Sequence, residues 1–70
     1  MVKLTDRQSE VLDLITGWIR RLGYPPTLQE LADELEVSSK TTVHNHLLAL
    51  EKKKVIRREY NRPRAISVLI

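Results

Sequence analysis

The 70-residue sequence contains no cysteine, no phenylalanine, only two glycines and only three prolines. The absence of cysteine excludes disulfides and thiolate zinc sites, which often stabilise chains as short as this one. No apolar run approaches the roughly 20 residues that cross a bilayer, and the first residues include no secretory apolar segment. These absences predict a single domain over residues 1–70, located in the cytoplasm and without a membrane partner.

The charges that are present lie unevenly along the chain. Residues 1–36 carry four basic and seven acidic side chains, for a net charge of −3, whereas residues 37–70 carry eight basic and two acidic ones, for +6. The formal net charge of +3 hides this division. Such asymmetry indicates a polyanionic partner for the second half of the chain. The alternative is a solvated basic face, and charge alone does not decide between the two.

Apolar residues at three- and four-residue spacing predict three helices. Two of these helices begin with a capping-box pattern, in which a threonine precedes a glutamine or a glutamate by three residues. The pairs are Thr5 with Gln8 and Thr27 with Glu30. The predicted helices span residues of about 6–22, 28–36 and 40–53.

After the third helix the apolar period changes to two, which predicts strands over about 55–59 and 64–69, joined by a turn. A two-stranded hairpin is marginal alone and must pack against the helices. A short second helix joined to the third by a tight turn is a helix-turn-helix, whose second helix can enter a major groove. The predicted fold is therefore mainly α with a small β-hairpin: a winged helix-turn-helix of three helices and a two-stranded antiparallel wing.

Several runs of sequence carry a resemblance to a known family. The sequence is similar over essentially its whole length to the N-terminal DNA-binding domain of the LexA repressors, which control the bacterial DNA-damage (SOS) response. The resemblance implies sequence-specific binding to a palindromic operator in double-stranded DNA and repression of transcription by a bacterial or phage-encoded, nucleoid-associated protein. The matching runs are Leu4-Thr5-Asp6-Arg7-Gln8, Glu10-Val11, Asp13-Leu14-Ile15, Gly23-Tyr24-Pro25-Pro26-Thr27, Glu30-Leu31-Ala32, His46-Leu47, Ala49-Leu50, Lys53 and Val55-Ile56.

Candidate DNA contacts fall into two groups. The start of the third helix reads base edges in a helix-turn-helix, and basic side chains and helix N-termini hold phosphates. Each group has a plain alternative, which is a solvated polar face for the first and general solubility for the second. The predicted base-reading residues are Ser39, Thr41, Thr42, His44 and Asn45. The predicted contacts to the backbone or minor groove are Thr27, Lys40, Lys52, Lys53, Arg62 and Arg64.

The sequence also departs from the family pattern. The best-known members carry two acidic residues at the positions of His44 and Asn45, so we expect an operator unlike the commonest SOS box. The family usually has a glycine where this chain has Lys54. Since a left-handed cap without glycine costs roughly 1–2 kcal/mol, we expect the third helix to end differently here.

No catalytic residue, cofactor or metal site is predicted. His44 and His46 are two residues apart, so on a helix they point about 160° away from each other and cannot share a metal. The self-cleaving Ser/Lys protease domain of the family is absent from these 70 residues, so we expect no enzyme activity. We expect a chain that is largely monomeric alone and pairs as a homodimer on DNA through its wings. The alternatives are a winged-helix protein-interaction module and a small phage or plasmid regulator not linked to SOS.

Overall fold

Three helices and a short antiparallel hairpin make up the fold. A computed structural model describes residues 3–36, 39–59, 62 and 64–69. The predicted class, mainly helical with a small two-stranded sheet, is confirmed. The elements are α1 (Asp6–Leu22), α2 (Leu28–Glu34), α3 (Lys40–Lys52), β1 (Ile56–Arg58) and β2 (Ile66–Val68).

The first two helices begin at reciprocal hydrogen bonds between a threonine and the residue three positions later. Thr5 Oγ1 accepts from the Gln8 amide at 3.1 Å, and the Thr5 amide donates to Gln8 Oε1 at 3.1 Å. Thr27 Oγ1 accepts from the Glu30 amide at 3.1 Å, and the Thr27 amide donates to Glu30 Oε1 at 2.8 Å. Both predicted capping boxes are therefore present, and they satisfy amides that the helix itself leaves unpaired.

The core lies between the three helices and the hairpin, and it is entirely aliphatic. Helix α3 packs against α1, α2 and β1, so that its opposite face is left exposed. None of the described helices is long and apolar enough to span a membrane. The buried apolar residues are Val11, Leu12, Ile15, Leu31, Ala32, Leu35, Val43, Leu47, Leu50, Val55, Ile56 and Ile66.

Several elements are shorter than predicted. Helix α2 ends at Glu34 rather than at residue 36, because the backbone turns left-handed at Glu36, with φ 57°. Helix α3 ends at Lys52, one residue early. The strands have three residues each, in the register Ile56↔Val68 to Arg58↔Ile66, although amide-to-carbonyl bonds from residue 59 to 65 and from residue 69 to 55 continue the pairing. Part of the predicted hairpin turn lies outside the described residues.

The expectation that α3 ends differently from the family's glycine pattern is wrong. Lys54 itself adopts the left-handed conformation, with φ 62°. Its amide donates to the Glu51 carbonyl at 2.9 Å, and the Val55 amide donates to the Leu50 carbonyl at 3.2 Å. These two bonds are the pattern with which glycine usually ends a helix. The next two residues are both buried, and we attribute the retention of this conformation to their burial.

We expect Lys54→Gly to raise the free energy of unfolding by about 0.5–1 kcal/mol. Relief of the left-handed strain, roughly 1–2 kcal/mol, exceeds the extra chain entropy that glycine loses on folding. Thermal or urea unfolding measures the change. The neighbouring Lys52→Gly is the matched control, because Lys52 is helical and the same substitution there is expected to be destabilising. A loss of stability in both variants would contradict the prediction.

Candidate nucleic-acid interface

The exposed face of α3 presents most of the residues that were predicted to read bases. Three of them, Thr41, Thr42 and Asn45, are exposed. Ser39 is the N-cap, and its Oγ accepts from the Thr41 amide at 3.1 Å, so its hydroxyl also has a structural use. Because the apolar stripe of α3 faces the core, the first turns of the helix offer a polar surface to a partner.

His44, the fifth predicted base reader, is turned toward the hairpin. Arg58 Nη1 lies 3.1 Å from His44 Nδ1 and 4.0 Å from Glu51 Oε1. A guanidinium can only donate, so Nδ1 is the acceptor in this contact. The Arg58 side chain is only 10% exposed, so this contact ties β1 firmly to α3.

Arg64, predicted to contact DNA, is engaged within the domain. Its Nη1 donates to Glu30 Oε1 at 2.7 Å and to the Pro25 carbonyl at 3.1 Å, while Nη2 donates to Glu30 Oε2 at 2.9 Å. The guanidinium carbon also lies 4.5 Å from the centre of the Tyr24 ring. The residue that begins the second half of the hairpin is therefore held against the start of α2.

The same contacts determine the protonation of Glu30. The hydrogen bonds from Arg64, followed by the one from the Thr27 amide, lower the pKa of the Glu30 carboxyl from 4.5 to about 2. Glu30 therefore stays ionised well below neutral pH, and the ion pair persists with it.

This lowered pKa predicts a pH dependence of stability. The pKa of Glu30 is lower in the folded chain than in the unfolded one. The ionised carboxylate therefore stabilises the fold at pH values above 4.5, the pKa of the unfolded chain. We therefore expect Glu30→Gln to melt below the wild type at neutral pH. The difference in melting temperature should shrink toward zero as the pH falls from about 5 to about 2, the folded pKa. Comparing the two proteins at each pH cancels the titration of the other carboxyls.

A matched control for this measurement is Glu10→Gln. Glu10 pairs with Arg7 at 3.0 Å on the exposed surface of α1, and such pairs contribute little to stability. Its melting curve is expected to follow that of the wild type at every pH. A Glu30→Gln difference that persists unchanged down to pH 2 would contradict the assignment.

The remaining predicted cations divide into engaged and exposed side chains. Lys53 Nζ donates to the Lys3 carbonyl at 2.9 Å and to Gln8 Oε1 at 2.6 Å, which ties the end of α3 to the start of α1. Lys40 and Lys52 are exposed. Arg62 is 66% exposed and forms a single ion pair of 3.1 Å with Glu59, a geometry that restrains it weakly.

An open cleft of about 450 Å³ lies between the starts of α2 and α3 and the hairpin. Thr27, Lys40 and Arg62, three of the predicted phosphate contacts, line it together with Arg58 and Glu59. The lining of this cleft thus includes three basic side chains and one acidic side chain, and Lys40 places the cleft at the start of α3. The structure brings these predicted contacts together, whereas Lys53 and Arg64 are drawn into contacts within the domain.

The comparison with known proteins is decisive for the family. The sequence matches the family model described as the LexA DNA binding domain over residues 1–65. This chain belongs to the LexA DNA-binding domain family. It is 49% identical over 69 residues to a LexA repressor of Halalkalibacterium halodurans, covering 99% of this chain and 33% of the relative. It is 46% identical over 69 residues to that of Shouchella clausii, with 99% and 33% covered, and 43% identical over 70 residues to that of Exiguobacterium sibiricum, with 100% and 34% covered. The chain thus spans about a third of the length of these relatives.

Within this LexA-family domain, Arg58 and Glu51 were not identified from the sequence, and their contact joins the hairpin to α3 beside the candidate interface. Arg58 follows Ile56 at the two-residue period of a strand, which places both side chains on the face toward α3. Glu51 follows His44 by seven residues, which is about two helical turns and the same face of α3. Both spacings can be read in the sequence, and they place Arg58 on the same face of β1 as Ile56 and Glu51 on the same face of α3 as His44. Among the described residues, no group of three His, Asp or Glu side chains is placed to hold a metal.

Proposed function

We propose that this chain is the operator-binding domain of a LexA-like transcriptional repressor of the SOS response, acting in the bacterial cytoplasm. In this proposal α3 lies in the major groove of double-stranded DNA and the hairpin lies against the backbone or the minor groove. The observation that carries it is the exposed polar face at the start of α3, with the basic cleft directly beside it. A major groove about 12 Å wide accepts such a helix.

The exposed residues of α3 have side chains suited to base edges. The amide of Asn45 matches the donor and acceptor of adenine, and the methyl groups of Thr41 and Thr42 suit the thymine methyl. Lys40 and Lys52 lie toward opposite ends of the helix, and Arg62 lies on the hairpin. Three exposed cations around a polar reading face are the arrangement in which phosphate contacts fix the register and base contacts select the sequence.

The test is the salt dependence of binding to duplex DNA, measured by fluorescence anisotropy. If Lys40, Lys52 and Arg62 each neutralise a phosphate, the logarithm of the binding constant falls against the logarithm of the salt concentration with a slope of about −2.7 per domain. A random-sequence duplex serves as the probe. No binding at low salt would overturn the proposal and would favour a protein-interaction module.

We further propose that two copies pair on a palindromic operator while the free chain is monomeric. Helix-turn-helix domains read half-sites one helical turn or more apart, so the symmetry of the operator follows the symmetry of the pair. Sedimentation of the free chain and of its complex with a duplex selected from a random library measures both states. A tight dimer without DNA would contradict the monomeric part, and a 1:1 complex on a palindrome would contradict the pairing.

A further inference from the structure

The hairpin is attached to both helices of the helix-turn-helix through arginine side chains. On β1, Arg58 reaches His44 and Glu51 of α3. Just before β2, Arg64 reaches Glu30, which is 34 residues away in the sequence and lies in the first turn of α2. One attachment lies on β1 and the other lies just before β2, and they reach different helices, so together they set the orientation of the hairpin relative to α2 and α3.

The attachment through Arg64 is geometrically specific. The guanidinium uses three N–H groups, two on Glu30 and one on the Pro25 carbonyl, and it stacks at 4.5 Å on Tyr24. Paired parallel hydrogen bonds between a guanidinium and a carboxylate fix direction as well as distance, which a lysine ammonium cannot do. Isolated exposed ion pairs contribute little to stability, but this pair has both the two-point geometry and additional partners.

The acceptor of these bonds is itself fixed. Glu30 Oε1 also accepts from the Thr27 amide at 2.8 Å, while the Glu30 amide donates to Thr27 Oγ1 at 3.1 Å. The carboxylate is therefore part of the capping box of α2 and cannot follow Arg64 if that side chain turns away. A phosphate that recruited Arg64 would leave the ionised Glu30 without its guanidinium partner and beside another anion, which is unfavourable.

We infer that Arg64 acts in DNA binding as a positioning residue, which holds the hairpin against α2 through Glu30, and that it does not itself neutralise a phosphate. This inference rests on the proposed DNA-binding function. It separates Arg64 from Arg62, which is two residues away, 66% exposed and held by a single pair with Glu59. Arg62 is therefore the matched control for a cation that does meet the backbone.

The experiment compares Arg64→Gln, Arg64→Lys, Glu30→Gln and Arg62→Gln with the wild type. The probe is a duplex that the wild-type chain selects from a random library, and affinity is measured over a salt series well below each melting temperature. We expect Arg64→Gln to bind about tenfold more weakly with an unchanged salt slope. We expect Arg62→Gln to reduce the steepness of that slope by about 0.9.

The two remaining variants distinguish a positioning role from a phosphate contact, because the two roles predict different changes in affinity. If Arg64 positions the hairpin, Arg64→Lys fails to restore affinity although it keeps the charge, and Glu30→Gln weakens binding as Arg64→Gln does. If Arg64 is instead a phosphate contact, Arg64→Lys restores binding, and Glu30→Gln strengthens it by releasing the guanidinium and removing a negative charge. Either of those results, or a slope that changes in Arg64→Gln as it does in Arg62→Gln, would overturn the inference.

Folding and function are kept apart in this design. Should Arg64→Gln not fold, the lysine variant and Glu30→Gln still decide, since melting curves identify which variants are folded at the temperature of the binding assay. Failure of the wild type to bind any duplex would instead overturn the proposed function, an outcome that is distinct from every variant result.

Discussion

We expect Leu47→Ala to lower the free energy of unfolding by about 2–5 kcal/mol, the range for a leucine removed from a packed core. Leu47 lies on α3 with 0% of its surface exposed and belongs to the aliphatic core cluster. A domain of 70 residues has roughly 4–10 kcal/mol of stability in total, so this single change removes a large part of it. At about 4–8 °C per kcal/mol for a domain of this size, circular dichroism will register a large fall in melting temperature.

The adjacent leucine supplies the control. Leu48 is 43% exposed on the outer face of the same helix, and Leu48→Ala makes the same chemical change in the same helical environment. Because leucine and alanine both favour helices, the propensity term is small, and we expect a change within about 0.5 kcal/mol. Equal losses of stability in the two variants would contradict the observed orientation of α3. In that orientation Leu47 faces the core, and Leu48, Asn45 and Thr41 face outward.

The features that the sequence predicted well are those that depend on a few neighbouring residues. Each capping box joins residues three positions apart, so Thr5 with Gln8 and Thr27 with Glu30 determine where α1 and α2 begin regardless of the rest of the chain. The apolar spacing of α3 likewise determines which face is buried. The helix-turn-helix follows from the order and lengths of these elements. The fold class could therefore be predicted from the sequence.

The contacts of Arg64 and Lys53 could not be predicted from the sequence, because their partners are distant in the chain. Arg64 meets Glu30 across 34 residues, and Lys53 meets Gln8 across 45. In the sequence these two side chains look the same as Lys40 or Lys52, which remain exposed. A basic run therefore predicts a basic surface, but only the packing of the helices decides which of its charges remain available to a partner.

Backbone conformation was mispredicted for a related reason. Local preference argues against a left-handed lysine, yet Lys54 adopts that conformation. The left-handed backbone at Lys54 directs Val55 and Ile56 into the core. The free energy gained by burying these two side chains exceeds the strain at one residue. The same left-handed step at Glu36 ends α2 before its predicted limit. At Lys54, tertiary burial therefore outweighs a local preference of about 1–2 kcal/mol.

The second large effect is expected at Asn45, on the exposed face of α3. If its amide pairs with an adenine, Asn45→Ala forfeits about 1–3 kcal/mol of discrimination, or roughly 5- to 150-fold in affinity for the selected duplex. Binding to a random-sequence duplex should be almost unchanged, because the substitution removes no charge. Since the side chain is exposed, stability should change by less than about 0.5 kcal/mol, so a loss of binding cannot be ascribed to unfolding.

The control for this result is Lys52→Ala, seven residues further along α3. Loss of an exposed cation should weaken binding to both duplexes by the same factor and reduce the steepness of the salt slope by about 0.9. Asn45→Ala should leave the salt slope unchanged and reduce the ratio of the binding constants for the selected and the random-sequence duplex. If Asn45→Ala weakened both duplexes equally, Asn45 would lie outside the base-reading surface. Selectivity would then have to arise from other residues of α3 or from the shape of the duplex, because charge attraction alone cannot distinguish two duplexes with the same phosphates.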